Sequence, residues 1–145
     1  MKKMKMHVSG KSKGMKTLVN AGGHDVIVDE APQMGGNNEG PNPLQYMLTA
    51  LAGCSNVVAH AVAKEMDFDL QDLSIDVSGE FDPRGFMGDP DVRTYFKTVT
   101  LNVDVKTTES EERLEELKKQ VEARCPVYGT FKAANVTMKG SWTIV

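Results

Sequence analysis

The chain has 145 residues, of which 40% are hydrophobic and 26% are charged, a composition typical of a soluble domain with its own core. Its formal net charge of −3 excludes the strong basic excess that a nucleic-acid-binding protein normally carries. No apolar segment follows Lys2 and Lys3 as it would in a signal peptide, and residues 44–62 contain many polar side chains. We therefore expect a cytoplasmic protein with no nucleic-acid partner and no membrane partner.

Three short strands and a long loop open the chain. Alternating apolar residues and glycine turns predict strands at 5–12, 15–20 and 24–29. The first 16 residues contain six lysines, for which an edge strand with protective lysines is a better explanation than an anionic partner or a membrane surface. Glycine, asparagine and proline residues then predict a loop at 31–43.

A long helix follows this loop. Asn42 and Pro43 are an N-cap residue followed by proline at the first helical position, which predicts a helix from Pro43 to about Met66. Apolar residues recur along it at spacings of three and four and so share one face. These residues are Met47, Leu51, Cys54, Val58 and Ala61. We expect this helix to be buried on several sides at the centre of the fold.

The remaining elements complete an α+β pattern. Alternation predicts strands at 72–81 and 93–106, an amphipathic segment predicts a helix at 108–124, and a closing strand covers 135–145. Consecutive strands favour antiparallel pairing. No linker or repeat is visible, so we expect a single domain over residues 1–145.

Two cysteines lie 71 positions apart, at Cys54 and Cys125. Cys54 lies about 16 Å from the start of its helix, too far for the helix dipole to activate it, and burial alone makes a thiol inert. Cys125 follows the last turn of the second helix, where the negative helix end disfavours a thiolate and suits a resolving thiol. By spacing alone, inert packing is the better explanation for these cysteines, and no histidine or cysteine spacing indicates a metal site.

Two motifs resemble the signatures of the OsmC/Ohr family. Residues 40–54, GPNPLQYMLTALAGC, resemble the central-helix motif of that family, and Cys125–Pro126–Val127 resembles its late Cys-Pro pair. The resemblance implies antiparallel sheets wrapped around a long central helix in an intertwined homodimer. It also implies a thiol peroxidase in which Cys54 attacks a hydroperoxide, Cys125 closes a disulfide and an external dithiol reduces it, with no metal and no bound cofactor.

The chain departs from the family pattern around the first cysteine. The family carries an arginine on an early turn and a glutamate just after the Asn-Pro pair, whereas here no arginine precedes Arg84 and Leu44 stands at the second position. His24, which follows the Gly22–Gly23 turn, is our candidate for the activating donor, and a turn histidine in solvent explains it equally well. Glu39 is a candidate for the missing acid, although a solvated loop residue is the better explanation.

An apolar substrate pocket and two further functions belong to the same hypothesis. Met47, Leu48 and Tyr128 are the candidates to line the pocket, although ordinary core packing is the stronger explanation for each of them. The alternatives to a peroxidase are a dimer that binds a small hydrophobic ligand, with the thiols as packing, and a redox sensor whose disulfide alters a partner contact.

Overall fold

Seven strands in two sheets and three helices make up the structure, a computed structural model that describes all 145 residues. In chain order these are β1 (Val8–Lys13), β2 (Lys16–Ala21), β3 (His24–Val28), a short 3-10 helix (Pro32–Met34), α1 (Pro43–Met66), β4 (Asp72–Glu80), β5 (Thr98–Lys106), α2 (Glu111–Arg124), α3 (Pro126–Ala133), β6 (Thr137–Lys139) and β7 (Trp142–Ile144). The predicted α+β class is confirmed. The chain divides into two compact units, Met1–Met47 and Leu48–Val145.

The first unit is the predicted antiparallel meander, with the strand order β1-β2-β3. The loop after β3 is organised by Asp29, whose side chain is 1% exposed. The Asp29 carboxylate accepts the backbone N–H groups of Glu30 (2.8 Å), Asn37 (3.3 Å) and Glu39 (3.0 Å). These hydrogen bonds, from Glu39 and then Glu30, lower the pKa of Asp29. A side chain at Gly36 would overlap the Glu30 carbonyl, so this tight loop requires glycine there.

Helix α1 begins where its sequence predicts. Asn42 Oδ1 accepts the N–H of Gln45 at 2.8 Å, and Gln45 Oε1 accepts the N–H of Asn42 at 2.9 Å, which together form a capping box around Pro43. Tyr46 in the first turn donates its hydroxyl to the Ile27 carbonyl at 2.6 Å. The start of α1 is therefore fixed both by its own cap and by the end of β3.

The buried face of α1 is rotated from the predicted one. The buried residues are Leu51, Ser55, Ala59, Val62 and Ala63, whereas the predicted face members Met47 and Ala61 are exposed. The spacing of large side chains was misleading because small residues at 55, 59 and 63 let this face approach its neighbours closely. Cys54 lies at the border of the buried face and is half-buried.

By length and mean hydropathy α1 also qualifies as a membrane span, which the sequence prediction had excluded. An 18-residue window within Pro43–Met66 has a mean hydropathy of 1.3, and 28% of the window is buried. A single such helix is weak evidence for insertion, because the core helix of a soluble protein has the same length and composition.

The sheet of the second unit is mixed rather than antiparallel throughout. β4 and β5 pair antiparallel, but β6 and β7 both pair parallel to β5. The single closing strand predicted at 135–145 is interrupted by Gly140, which has a φ of 127°. A Cβ atom at Gly140 would overlap the Leu101 carbonyl of β5, so this close approach requires glycine. The chain bends there, and β6 pairs with Thr98–Thr100 of β5 whereas β7 pairs with Val103–Val105.

One apolar cluster holds the second unit together. The alternating face of β5, predicted from its sequence, contributes Leu101, Val103 and Val105. The C-terminal half of α1 and the apolar stripe of α2 pack against it through Ala59, Val62, Ala63, Leu114, Leu117 and Val121. Each fully buried valine or leucine side chain of this cluster stabilises the fold by about 1.5–3 kcal/mol relative to exposure.

Two element starts differ from the prediction for local reasons. α2 begins at Glu111 rather than 108, because the hydroxyl of Ser110 accepts the N–H of Arg113 at 3.2 Å and caps the helix. β5 begins at Thr98 rather than 93, because Arg93 folds back and donates to the carbonyl of Phe96 at 2.5 Å.

Candidate active site

The two cysteines lie together in the second unit. Cys54, midway along α1, and Cys125, after α2, have their Sγ atoms 2.9 Å apart, with the Cys125 thiol donating to Cys54. Both are free, and the separation exceeds the roughly 2.05 Å of a disulfide bond. Cys54 is half-buried and Cys125 is 2% exposed, so Cys54 is the more accessible sulfur of the pair.

Cys125 occupies the corner between α2 and α3. Because Pro126 has no N–H and disfavours helical geometry in the residue before it, α2 ends at Arg124 and Cys125 is extended (φ −75°, ψ 115°). The same proline is well suited to the first position of α3. The Sγ of Cys125 accepts the N–H of Tyr128 at 3.4 Å and so caps α3, a helix that the sequence prediction did not contain.

The Cys125 thiol keeps its proton at neutral pH. Burial raises the pKa of the Cys125 thiol, and the hydrogen bond to Cys54 raises it further. The backbone N–H groups of Tyr128 and Val127 lower this pKa by less. From the sequence we explained the disfavoured Cys125 thiolate by the negative end of α2 alone. This explanation is incomplete, because burial is the largest cause of the raised pKa. The thiol also lies at the N-terminus of α3, where the backbone N–H groups act in the opposite direction.

Arg124, the cation nearest in sequence to Cys125, is engaged elsewhere. Its guanidinium donates to both carboxylate oxygens of Glu65 on α1, at 2.6 and 2.9 Å. This pair raises the pKa of Arg124 and lowers that of Glu65. Arg124 therefore links the end of α2 to α1 and is not directed at the thiols.

Tyr128 links the two helices that meet at Cys125. Its hydroxyl donates to Glu122 Oε2 at 3.3 Å, and its ring packs against the core cluster. Burial, and then the charge of Glu122, raise the pKa of Tyr128 to about 12. The phenol thus stays protonated as a hydrogen-bond donor. The sequence identified Tyr128 as a pocket residue but gave no sign of its contacts with Glu122 and Cys125.

The other predicted site residues have less distinctive surroundings. His24 begins β3 and is exposed, with no side-chain hydrogen bond. Met47 is 44% exposed and Leu48 is half-buried. Glu39 forms an ion pair with Lys16 at 3.3 Å. The activating role of His24 and the pocket of Met47, Leu48 and Tyr128 stay predictions.

Asp29 and Ser55 are the buried polar residues of the fold, and neither was a site candidate from the sequence. An acidic residue at the end of a strand, before a loop rich in glycine and asparagine, is a signal that could have identified Asp29 as a loop organiser. Ser55 gives no such signal in a helix full of small residues. Nowhere do three or more His, Cys, Asp or Glu side chains converge as metal ligands would.

Known structures with this fold cover nearly the whole chain. An OsmC-like protein of Mycoplasma pneumoniae superposes with a TM-score of 0.86 at 19% identity, over 98% of each chain. The organic hydroperoxide resistance protein OsmC of Legionella pneumophila matches with a TM-score of 0.74 at 19% identity, over 97% of each chain. The organic hydroperoxide resistance protein of Bacillus subtilis matches with a TM-score of 0.67 at 23% identity, over 97% of this chain and 98% of its own.

A family model matches the sequence as well as the fold. No curated protein sequence matches the chain. The model of the OsmC-like proteins, however, matches residues 36–139, which include the capping box of α1, both cysteines and the strands β4, β5 and β6 of the mixed sheet. Most of the chain thus carries the sequence pattern of the family together with its architecture, and the chain belongs to the OsmC family.

Proposed function

We propose that this protein is a thiol-dependent peroxidase that reduces organic hydroperoxides through Cys54 and Cys125. The observation that carries the proposal is the 2.9 Å separation of two sulfur atoms from residues 71 positions apart. Two reduced thiols in contact, one accessible and one buried, are the arrangement that a peroxidatic and a resolving cysteine require. Relatives of the same fold named for organic hydroperoxide resistance support this choice of substrate.

The first step takes place at Cys54, the more exposed sulfur. Its thiolate attacks the distal oxygen of the hydroperoxide, a sulfur–oxygen bond forms, and the oxygen–oxygen bond breaks. The two electrons of the thiolate reduce the peroxide, and the alkoxide leaves as the alcohol after taking a proton. Cys54 is left as a sulfenic acid.

The second step uses Cys125. Its sulfur attacks the sulfur of the Cys54 sulfenic acid, the sulfur–sulfur bond of a disulfide forms as the sulfur–oxygen bond breaks, and the hydroxyl leaves as water with the proton that the Cys125 thiol gives up. The two sulfur atoms need to approach each other by about 1 Å to reach disulfide distance, so no large rearrangement is required. An external dithiol then exchanges with the disulfide and returns both cysteines to the reduced state in the cytoplasm.

A peroxide pulse read by mass spectrometry tests this mechanism. One equivalent of cumene hydroperoxide should convert the wild type to an intramolecular disulfide. Cys125→Ser should stop at a sulfenic acid on Cys54 that dimedone traps, and Cys54→Ser should keep a free thiol. Dihydrolipoamide should then support turnover by the wild type alone.

Two results would replace the proposal with an alternative function. If the wild type keeps two free thiols in excess cumene hydroperoxide, binding of a small hydrophobic ligand becomes the better-supported function. A disulfide that forms once but supports no turnover with dithiols would favour the redox sensor. His24→Ala provides a separate measurement, since slower reaction of Cys54 would assign His24 the role of activating donor.

We further propose that the functional form is a homodimer. Helix α1 is apolar, yet 28% of its 18-residue hydrophobic window is buried within one chain. Val57, near the middle of the helix, is 66% exposed. A second copy covering this face would remove the exposed apolar surface from water. Analytical ultracentrifugation should show a dimer at micromolar concentration and a shift toward monomer in Val57→Glu, whereas a concentration-independent monomer would rule the dimer out.

A further inference from the structure

Positive charge is concentrated at the beginning of the chain. The first 24 residues contain six lysines and no aspartate or glutamate, although the formal net charge of the whole chain is −3. Such a separation of charge creates a basic surface on an otherwise acidic protein.

Protection of a sheet edge explains only part of this charge. β1 is an edge strand of its sheet, but Lys11 and Lys13 are the lysines that it contains. Lys2, Lys3 and Lys5 precede β1, and Lys16 lies in β2, the central strand. Four of the six lysines therefore lie where protection of the edge does not require them.

The strand register places Lys11, Lys13 and Lys16 on one face of the sheet. Lys11 is opposite Leu18, which is opposite Ile27, and Lys13 is opposite Lys16. Directly opposed residues, and residues two apart, project from the same side of a sheet. We call the five residues Lys11, Lys13, Lys16, Leu18 and Ile27 the lysine face.

The apolar residues of the lysine face are more exposed than those on the other side of the same sheet. Leu18 is 49% exposed and Ile27 is 38% exposed. Alternate residues on the opposite side, Thr17, Val19, Val26 and Val28, are half-buried. A depression of about 350 Å³, lined by Lys11, Ser12, Lys13, Lys16 and Leu18, lies on the hairpin. Lys16 has a carboxylate partner in Glu39, so Lys11 and Lys13 are the lysines of this face available to a ligand.

We propose that the lysine face, together with residues 1–7, docks this protein on an anionic lipid bilayer. Met4 and Met6, interleaved with lysines, are 86% and 85% exposed, and flexible apolar side chains among lysines suit the headgroup boundary of a membrane. Long lysine side chains keep their ammonium groups at the phosphates while Leu18 and Ile27 reach below them.

Nucleic acid fits the same surface less well. No arginine, phenylalanine, tyrosine or tryptophan occurs in the first 24 residues. Arginine supplies the bidentate contacts to phosphates and bases, and aromatic side chains supply the stacking on which single strands depend. Docking on a bilayer differs from our expectation of no membrane partner. It is tested by vesicle binding alone and so does not depend on peroxidase activity.

Vesicle co-sedimentation tests the docking with two variants of equal charge change. Lys11→Gln/Lys13→Gln removes two exposed lysines from β1, and the control Lys119→Gln/Lys132→Gln removes two exposed lysines from α2 and α3. We expect the wild type to bind vesicles containing about one third phosphatidylglycerol and not pure phosphatidylcholine, with binding that weakens as salt is raised. Each lysine near an anionic surface contributes about fivefold to partitioning, so the β1 variant should bind roughly 25-fold more weakly and the control within about twofold of wild type.

Four outcomes would overturn the inference. These are no binding to anionic vesicles at low salt, equal loss in the two variants, binding to a single-stranded oligonucleotide that is stronger than binding to vesicles, and salt-dependent self-association that removes vesicle binding. The last would assign the lysine face to a second copy of the chain. Circular dichroism of both variants establishes that each remains folded.

Discussion

Ser55, directly after Cys54 in α1, offers a sharp test of the packing around the site. Ser55 is 1% exposed, and its hydroxyl oxygen has no hydrogen-bond partner. Burying a hydroxyl without a partner opposes folding, because the group gives up hydrogen bonds with water and gains none. We therefore predict that Ser55→Ala raises the free energy of unfolding.

The expected gain is about 1–2 kcal/mol. Removing an unpaired buried hydroxyl recovers about 1–3 kcal/mol of desolvation, and alanine adds roughly 0.5 kcal/mol of helix propensity over serine. The small void left by the oxygen subtracts part of this gain. For a chain of this length, the midpoint of thermal unfolding should rise by roughly 3–6 °C.

Urea unfolding followed by circular dichroism measures this gain. Thr49→Ala is the matched control, since Thr49 is an exposed hydroxyl residue in the same helix and its replacement changes helix propensity without relieving a buried group. Thr49→Ala should gain about 0.5 kcal/mol, less than Ser55→Ala. Alkylation of Cys54 by iodoacetamide should proceed at similar rates in both variants.

Either of two results would refute this reasoning. A loss of 1 kcal/mol or more in Ser55→Ala would mean that the hydroxyl has a hydrogen-bond partner in solution. A slower reaction of Cys54 with peroxide, at unchanged stability, would mean that the hydroxyl serves the thiol and not the packing.

Three further predictions concern groups around the site and the loop. Tyr128→Phe removes the hydroxyl that donates to Glu122 but keeps the N–H to Cys125, so it should lower the free energy of unfolding by about 1 kcal/mol in urea and leave the peroxide reaction unchanged. Hydrogen bonds lower the pKa of Asp29, so the Asp29 carboxylate stabilises the fold above pH about 4. This contribution disappears as the pH falls through the lowered pKa of the folded state. Asp29→Asn should therefore flatten that part of an acid-unfolding curve. Because burial raises the pKa of Cys125, disulfide closure after a peroxide pulse should keep accelerating as pH rises past the ordinary thiol pKa of about 8.5, which stopped-flow fluorescence can follow.

Elements with strong local signals were predictable from the sequence. Asn42, Pro43 and Gln45 cap the start of α1 by hydrogen bonds within four residues, so a local pattern was enough to predict where the helix begins. The alternation of Val99, Leu101, Val103 and Val105 likewise predicted the buried face of β5. In both cases the physical determinant is short-range.

Features that depend on distant partners were not predictable in the same way. The parallel pairing of β6 and β7 with β5 is a long-range choice that no local pattern specifies. Helix α3 was missed because Pro126 ends one helix and begins the next, and these two roles look alike in sequence. The contact of Cys54 with Cys125 came from the family resemblance, since 71 intervening residues carry no sign of it.

The structure also limits the side chains that can stabilise a thiolate at Cys54. Gln45, next to the position of the family's glutamate, is held in the capping box of α1, and Arg124 is held by Glu65. Each would have to give up an existing interaction to reach the thiol. The group already in contact with the Cys54 sulfur is the Cys125 thiol, which donates a hydrogen bond to it and which burial keeps protonated. We infer that Cys125, the resolving cysteine of the proposed mechanism, would also support the first step as a donor.

This dual role predicts a difference between two substitutions that both remove the resolving thiol. Cys125→Ser keeps a hydroxyl that can donate to Cys54, whereas Cys125→Ala removes the donor. A hydrogen bond to a charged group contributes about 1.5–3 kcal/mol, so formation of the Cys54 sulfenic acid should be roughly 10- to 100-fold slower in Cys125→Ala than in Cys125→Ser. Single-turnover stopped flow with cumene hydroperoxide measures this ratio, and equal melting temperatures exclude a difference in folding. Equal rates in the two variants would show that Cys125 acts after the first step alone, and activation of Cys54 would then have to come from His24 or a partner subunit.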